Sequence, residues 1–193
     1  MSDVMSGKVV VLTAPSGAGK TTIAKNLLAE LPWLRFSVSA TTRPPRPEEV
    51  HGKDYYFLNK TTFDAYVKKG SFLEWEEFYN GRRYGTLRSS VEEQLKKGYF
   101  ILFDVEVKGA VNLKNVFGDD CLSIFIKPPD MQTLKNRLLS RGTEDEASLL
   151  TRLQRAEMEL QQAHTFDKVV VNDDYETAYK QVRDLIERFR NAG

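Results

Sequence analysis

The residues with the clearest chemical purpose are Ala14-Pro15-Ser16-Gly17-Ala18-Gly19-Lys20-Thr21, followed by Thr22. The run matches G-x-x-x-x-G-K-[ST] with Ala14 in place of the first glycine. Gly17 and Gly19 free the backbone to turn several N–H groups toward one point, which makes an anion cradle. A helix starting near Lys20 adds the positive end of its dipole. Lys20 supplies a full charge to β- and γ-phosphate oxygens, and Thr21 offers a hydroxyl to Mg²⁺. Ala14–Thr22 is thus expected to hold the phosphates of a nucleotide. An ordinary glycine-rich turn is the competing reading.

A metal-linked acid should close a neighbouring strand. Asp104 does so in Phe100-Ile101-Leu102-Phe103-Asp104, with Glu106 two residues on. Its plainer reading is a helix cap or turn residue. Arg43 and Arg46 stand three apart in Arg43-Pro44-Pro45-Arg46-Pro47, a segment that proline keeps as loop. Arginine presents a planar fork of donors that grips phosphate at two points, though a solvated basic loop would read the same. Tyr55 and Tyr84 offer hydroxyls to the same anion, or else pack. Glu74, in Glu74-Trp75-Glu76-Glu77, is either a base-reading carboxylate or part of a solvated acidic run. Arg137, Arg141 and Arg152 fall on helix-forming sequence, aimed inward at phosphate or outward at solvent.

Four short apolar runs must carry these groups: Val9–Thr13, Phe100–Asp104, Leu122–Ile126 and Lys168–Val171. They are rich in β-branched and aromatic residues and lack clean alternation, as strands buried on both faces do. Helical periodicity falls between and after them, at Thr21–Leu31, at Leu134, Leu138 and Leu139 behind a capping Asp130, at Leu149–Ala163 and at Tyr175–Phe189. The alternation predicts an α/β fold with a parallel sheet flanked by helices and right-handed crossovers. Residues 37–92 break the rhythm with β-like pieces at Ser37–Ala40, Tyr55–Leu58 and Phe72–Glu76 and a helix near Thr61–Lys69. They read as a small α+β insertion. The core is then 1–36 and 93–193, containing a mobile helical hairpin, or lid, at about 137–163.

Taken together these blocks resemble the guanylate kinases of the P-loop nucleoside monophosphate kinase family, from Val9 to about Phe189. The resemblance is carried by Ala14–Thr22, Phe36–Arg46, Gly52-Lys53-Asp54-Tyr55, Leu73-Glu74-Trp75, Tyr84-Gly85-Thr86, Arg141-Gly142-Thr143-Glu144 and Val171-Asn172-Asp173-Asp174, in order and with matching spacing. It implies a P-loop core with a GMP-binding insertion and a lid. It implies transfer of the γ-phosphoryl group of Mg-ATP to GMP, and to dGMP, giving ADP and the diphosphate.

By the same resemblance, Arg43, Arg46, Tyr55 and Tyr84 contact the GMP phosphate. Ser39, Glu74 and Thr86 surround guanine, with Thr86 keeping the hydroxyl of a family serine. Asp104 and Glu106 form an acidic pair near acceptor and metal, with Glu106 where aspartate is frequent. Arg137, Arg141 and Arg152 close over the triphosphate, and Asn172 lies near adenine. Elementary chemistry agrees for Glu74: guanine presents N1–H and an exocyclic amino group side by side, and one carboxylate accepts both. Adenine would leave it unpaired. Water is a competing acceptor, so insertion and lid are expected to close on bound nucleotides.

Composition bounds the alternatives. In 193 residues there are 28 Lys and Arg against 27 Asp and Glu, a net +1 that argues against a general nucleic-acid binder. One cysteine excludes a disulfide-stapled scaffold. The apolar run at Val9–Leu12 is far too short to span a bilayer. No charged leader followed by an apolar stretch opens the sequence, so a cytoplasmic protein with no membrane or obligatory protein partner is expected. Two rivals share the motifs: a P-loop kinase for another acceptor, and a guanylate-kinase-like binding module without catalysis. Such modules tend to lose phosphate-loop residues, which this chain keeps.

Overall fold

A computed structural model describes residues 7–77, 81–140 and 146–192. The chain opens with β1 (Val9–Thr13), turns through the glycine-rich loop into α1 (Lys20–Glu30) and returns as β2 (Leu34–Phe36). It then leaves for a second sheet, formed by β3 (Ala40–Thr41), β4 (Tyr56–Phe57), β5 (Phe72–Glu77) and β6 (Arg83–Leu87), with α2 (Lys60–Lys68) between β4 and β5. It comes back through α3 (Arg88–Lys96) to β7 (Phe100–Asp104), α4 (Val107–Phe117), β8 (Cys121–Lys127), α5 (Met131–Leu139), α6 (Glu146–Gln161), β9 (Lys168–Val171) and α7 (Tyr175–Asn191).

The core sheet has the order β2-β7-β1-β8-β9, and every pairing in it is parallel. β1 lies at its centre with all five residues buried. Its alternate residues feed two separate layers, which is why the sequence shows no alternation. Val10 and Leu12 pack with Ile23 and Leu27 of α1 and with Ala178, Val182 and Ile186 of α7. Val9 and Val11 pack on the other side with Val91 of α3 and Val107, Ala110 and Leu113 of α4. The α7 contacts recur every fourth residue, one stripe of a helix whose other faces are polar. Asp130 caps α5 as expected, accepting from the Thr133 N–H at 2.6 Å; Asn59 and Asp174 do the same for α2 and α7.

The second sheet has the order β4-β3-β6-β5 and mixes one parallel with two antiparallel pairings. Its small core is Phe63 of α2 stacked on Phe72 of β5, ring centroids 4.4 Å apart, with Ala40 beneath. Helices α5 and α6 share a further cluster of Leu134, Leu138, Leu149 and Ala156.

Four elements had no counterpart in the sequence reading: β2, β6, α3 and α4. β2 is three residues long, with only Leu34 buried. β6 contains Gly85 and takes its conformation from β5, opposite which Thr86 faces Glu74. α3 buries only Val91, and α4 carries Gly109 and no side-chain cap. Among the described residues no helix is long and apolar enough to cross a membrane. Cys121 is buried at the start of β8, and burial pushes its thiol up to about 12, so it is inert at neutral pH.

Candidate active site

The phosphate loop joins the buried end of β1 to the first turn of α1. Gly17 and Gly19 sit at φ 91° and 95°, in the left-handed region where a Cβ is disfavoured. Space excludes side chains too. A Cβ on Gly17 would approach Leu138 and Leu134 of α5 at 3.0 and 3.1 Å, and one on Gly19 would overlap the Asn172 amide nitrogen. That nitrogen is already committed, donating to the Ala18 carbonyl at 2.7 Å from a buried site. Asn172 thus pins the loop from the C-terminal end of β9. Gly19→Ala is expected to lower the folding free energy by about 2–4 kcal/mol through left-handed strain and loss of the Asn172 bond. Thermal unfolding measures this, and nucleotide affinity should fall with it.

Two cavities meet beside the loop. The first, about 440 Å³, is lined by Ala14–Gly17 and Gly19–Thr22 on one side, by Asp104 and Glu106 at the end of β7, and by Arg152, Arg155, Ala156 and Glu159 of α6. The second, about 320 Å³, lies between the two sheets and includes Ser39, Tyr55, Glu74, Glu76, Tyr84 and Gly85. Lys20, Asp104 and Glu106 line both. Parallel β1 and β7 bring them together, since Leu12 is in register with Asp104. Lys20 and Asp104 form an ion pair across this junction.

Thr21 and Asp104 offer oxygens to a metal from the first cavity. Among the described residues no group of three or more His, Cys, Asp or Glu side chains is placed to hold an ion. A few hard oxygen donors beside a phosphate cradle fit Mg²⁺, which keeps water and substrate oxygens as its other ligands.

Glu74 points into the second cavity from β5. The Thr86 hydroxyl, itself buried, donates to its Oε1 at 2.7 Å. Burial pushes the Glu74 carboxyl above its ordinary range and nearby Glu76 adds to this, while the Thr86 hydrogen bond opposes it. The carboxylate lines the cavity with Thr86 as its hydrogen-bond partner, a placement that suits a ligand bearing N–H groups. Thr86 does not line the cavity; it orients Glu74.

Arg43 is buried beside this cavity, its guanidinium 4.9 Å from the Tyr55 ring centroid. It donates to both carboxylate oxygens of Glu49, at 2.6 and 2.5 Å. The Arg43 bonds, helped by the Arg46 backbone N–H at 2.8 Å, hold Glu49 down to about 2. Glu49 escaped the sequence reading; its signal was an acid three residues after Arg46 in a proline-stiffened loop. Tyr84 also hydrogen-bonds Arg43 and meets Tyr55 edge to face at 6.1 Å. The Arg46 side chain is exposed.

Of the arginines expected over the triphosphate, Arg152 lines the first cavity and lies 3.4 Å from the Ser16 hydroxyl. Arg137 lies instead in the last turn of α5, donating to the carbonyls of Asn172 and Asp173 at 2.9 and 3.3 Å. Arg141 lies outside the described residues. Arg155 and Glu159, an i,i+4 pair on α6 at 2.9 Å, were not among the residues singled out from the sequence.

The chain is similar to known proteins along nearly its whole length. The guanylate kinase family model matches residues 6–189. The guanylate kinase of Salinibacter ruber is 51% identical over 181 residues, covering 94% of this chain and 96% of that protein. That of Bacteroides thetaiotaomicron is 44% identical, covering 97% and 92%. The crystal structure of guanylate kinase from Anaplasma phagocytophilum superposes with a TM-score of 0.74 at 30% identity, over 96% of this chain and 87% of that one. Matched along nearly its whole length by sequence and by fold, the chain belongs to the guanylate kinase family of P-loop nucleoside monophosphate kinases, and its reaction is transfer of a phosphoryl group from ATP to GMP.

Proposed function

We propose that the loop cavity takes Mg-ATP, that the cavity between the sheets takes GMP or dGMP, and that transfer occurs where they meet. The observation carrying this reading is the sharing of Lys20, Asp104 and Glu106 by both cavities, a junction two nucleotides could reach from opposite sides.

The donor phosphates lie against the Ala14–Thr22 backbone, with Lys20 on the β- and γ-oxygens and Arg152 closing from α6; Arg141 is assigned to the same phosphates by the family resemblance alone. Arg137 and Asn172 act at the adenine end, the first through its hold on the 172–173 loop and the second by fixing Ala18. Thr21 and Asp104 would hold Mg²⁺, which would supply positive charge beside the phosphates.

On the acceptor side, Arg43, Tyr55 and Tyr84 receive the GMP phosphate, with Arg46 closing from the loop. Glu74, oriented by Thr86, accepts from guanine N1–H and the amino group, and Ser39 and Glu106 complete the surround. These groups address base and phosphate, which dGMP shares with GMP.

No general base is required. The GMP phosphate, with a second pKa near about 6, is largely ionised at neutral pH. One of its oxygens attacks the γ-phosphorus in line. The bond from that phosphorus to the β–γ bridging oxygen breaks, and ADP leaves with the electron pair. Alignment and charge neutralisation supply the catalysis. Residues 37–92, as the acceptor-binding insertion, and the lid at about 137–163 close on the two nucleotides and exclude water. A cytoplasmic setting fits the unpaired, buried Cys121. The near-neutral balance of charge fits small-molecule substrates rather than nucleic acid, membrane or an obligatory protein partner.

A compound joining adenosine to guanosine through a polyphosphate tests the shared junction. It should bind one per chain and compete with both ATP and GMP. Competition with only one nucleotide would separate the two cavities.

A further inference from the structure

Arg155 occupies an unusual position. It projects from the lid helix α6 into the donor cavity, one turn beyond Arg152 and on the same side. Yet its guanidinium is engaged away from the loop. One terminal nitrogen donates to Glu106 Oε2 at 2.8 Å, and Nε donates to Glu159 Oε1 at 2.9 Å. Glu106 also lines the acceptor cavity. A single ion pair therefore ties the donor-side lid to a carboxylate on the acceptor side.

The strength of this tie matters. The Arg155 and Glu106 side chains are 47% and 42% exposed. Pairs this open to solvent are weak and easily exchanged, unlike a buried strut. Glu159 is more enclosed: burial raises its carboxyl above the ordinary range, and the neighbouring Glu106 charge adds to this. Arg155 thus rests between two carboxylates in a cavity that would receive a polyanion.

We propose that Arg155 is a further catalytic arginine for phosphoryl transfer, restrained by Glu106 until an acceptor base engages that carboxylate. This rests on the assignment of the second cavity to GMP. Guanine donors reaching Glu106 compete with Arg155 for the same oxygens. The terminal nitrogens so freed, with Nε still anchored on Glu159, turn to the nearest concentrated negative charge, the γ-phosphate of ATP. Without acceptor, Arg155 stays on Glu106 and the charge around the γ-phosphate is incomplete. Hydrolysis, in which a water oxygen attacks the γ-phosphorus, ADP leaves with the bridging electron pair and a proton passes to solvent, is thereby kept slow.

ATP hydrolysis without acceptor tests this most sharply. Glu106→Gln should free the terminal nitrogens of Arg155, with Nε still on Glu159, and raise ADP formation from Mg-ATP alone by about threefold or more, and Glu106→Gln with Arg155→Ala should abolish the increase. Arg155→Ala alone, assayed with GMP, should lose about tenfold or more in kcat with ATP affinity unchanged. An increase in hydrolysis is a gain that damage to the fold does not produce. If Glu106→Gln does not fold, the kcat of Arg155→Ala decides, with its thermal unfolding as the control. The proposal is overturned if Glu106→Gln hydrolyses ATP no faster than wild type, if the double variant stays as fast as Glu106→Gln, or if Arg155→Ala keeps its kcat. Wild-type turnover with GMP, measured alongside, tests the underlying assignment separately.

Discussion

Replacing Lys20 with alanine is expected to lower kcat by about 10²–10³-fold or more, the scale set by losing a preorganised charge from a developing oxyanion. Lys20 stands at the first turn of α1 and lines both cavities, where the β–γ bridging oxygen takes up charge as its bond breaks. Removing it also strips Asp104 of its ion-pair partner. Asp104 would then be balanced by the metal alone, leaving less positive charge for the nucleotide phosphates and adding a binding defect to the catalytic one. The pair is partly solvated, with side chains 17% and 25% exposed, so the fold should survive the change. Steady-state kinetics with thermal unfolding as the control would read this. Near-normal kcat in folded Lys20→Ala protein would remove Lys20 from the reaction.

Glu74→Gln is expected to lower kcat/KM for GMP by about 10³-fold, because the negative charge and one of the two acceptors for guanine are lost and the new amide sets its own N–H group against the remaining guanine donor. ATP affinity should stay unchanged, since Glu74 lines only the acceptor cavity. Equal losses for both nucleotides would remove Glu74 from the guanine site. A pH dependence accompanies this. Burial raises the Glu74 carboxyl in the free enzyme, so the group is costly when charged and unpaired. Guanine binds the charged form and must pull its pKa back down. By linkage, GMP affinity is full above the raised pKa and declines as pH falls through it. The GMP phosphate titrates as well, at about 6. The share of the decline that vanishes in Glu74→Gln is the part owed to Glu74.

How much could be read from the sequence followed from how local each feature is. The phosphate loop was legible because its chemistry is contiguous: Gly17, Gly19, Lys20 and Thr21 work within one turn between a strand and a helix. Strands β1, β7 and β8 announced themselves as apolar runs, and Asp130 as a cap, for the same reason. β6 did not, because a strand with Gly85 at its centre is specified by the partner that pairs with it. The roles of Glu49 and Arg155 were hidden for a different reason. Each is an ordinary surface-type residue whose meaning comes from a contact: Glu49 with Arg43 six residues away, and Arg155 with Glu106 forty-nine residues away. Thr86 shows a middle case. It was placed near guanine by resemblance, and the register of β5 and β6 assigns its hydroxyl to Glu74.

A donor cavity and a guanine-reading cavity joined at Lys20, Asp104 and Glu106 should make turnover depend on the acceptor base. The most direct test is ADP formation from Mg-ATP with GMP, dGMP, AMP, CMP and UMP supplied one at a time to the wild-type protein. Strong turnover is expected with GMP and dGMP, and background rates with the other three. Comparable turnover with AMP would contradict the reading of Glu74 as the residue that selects the base.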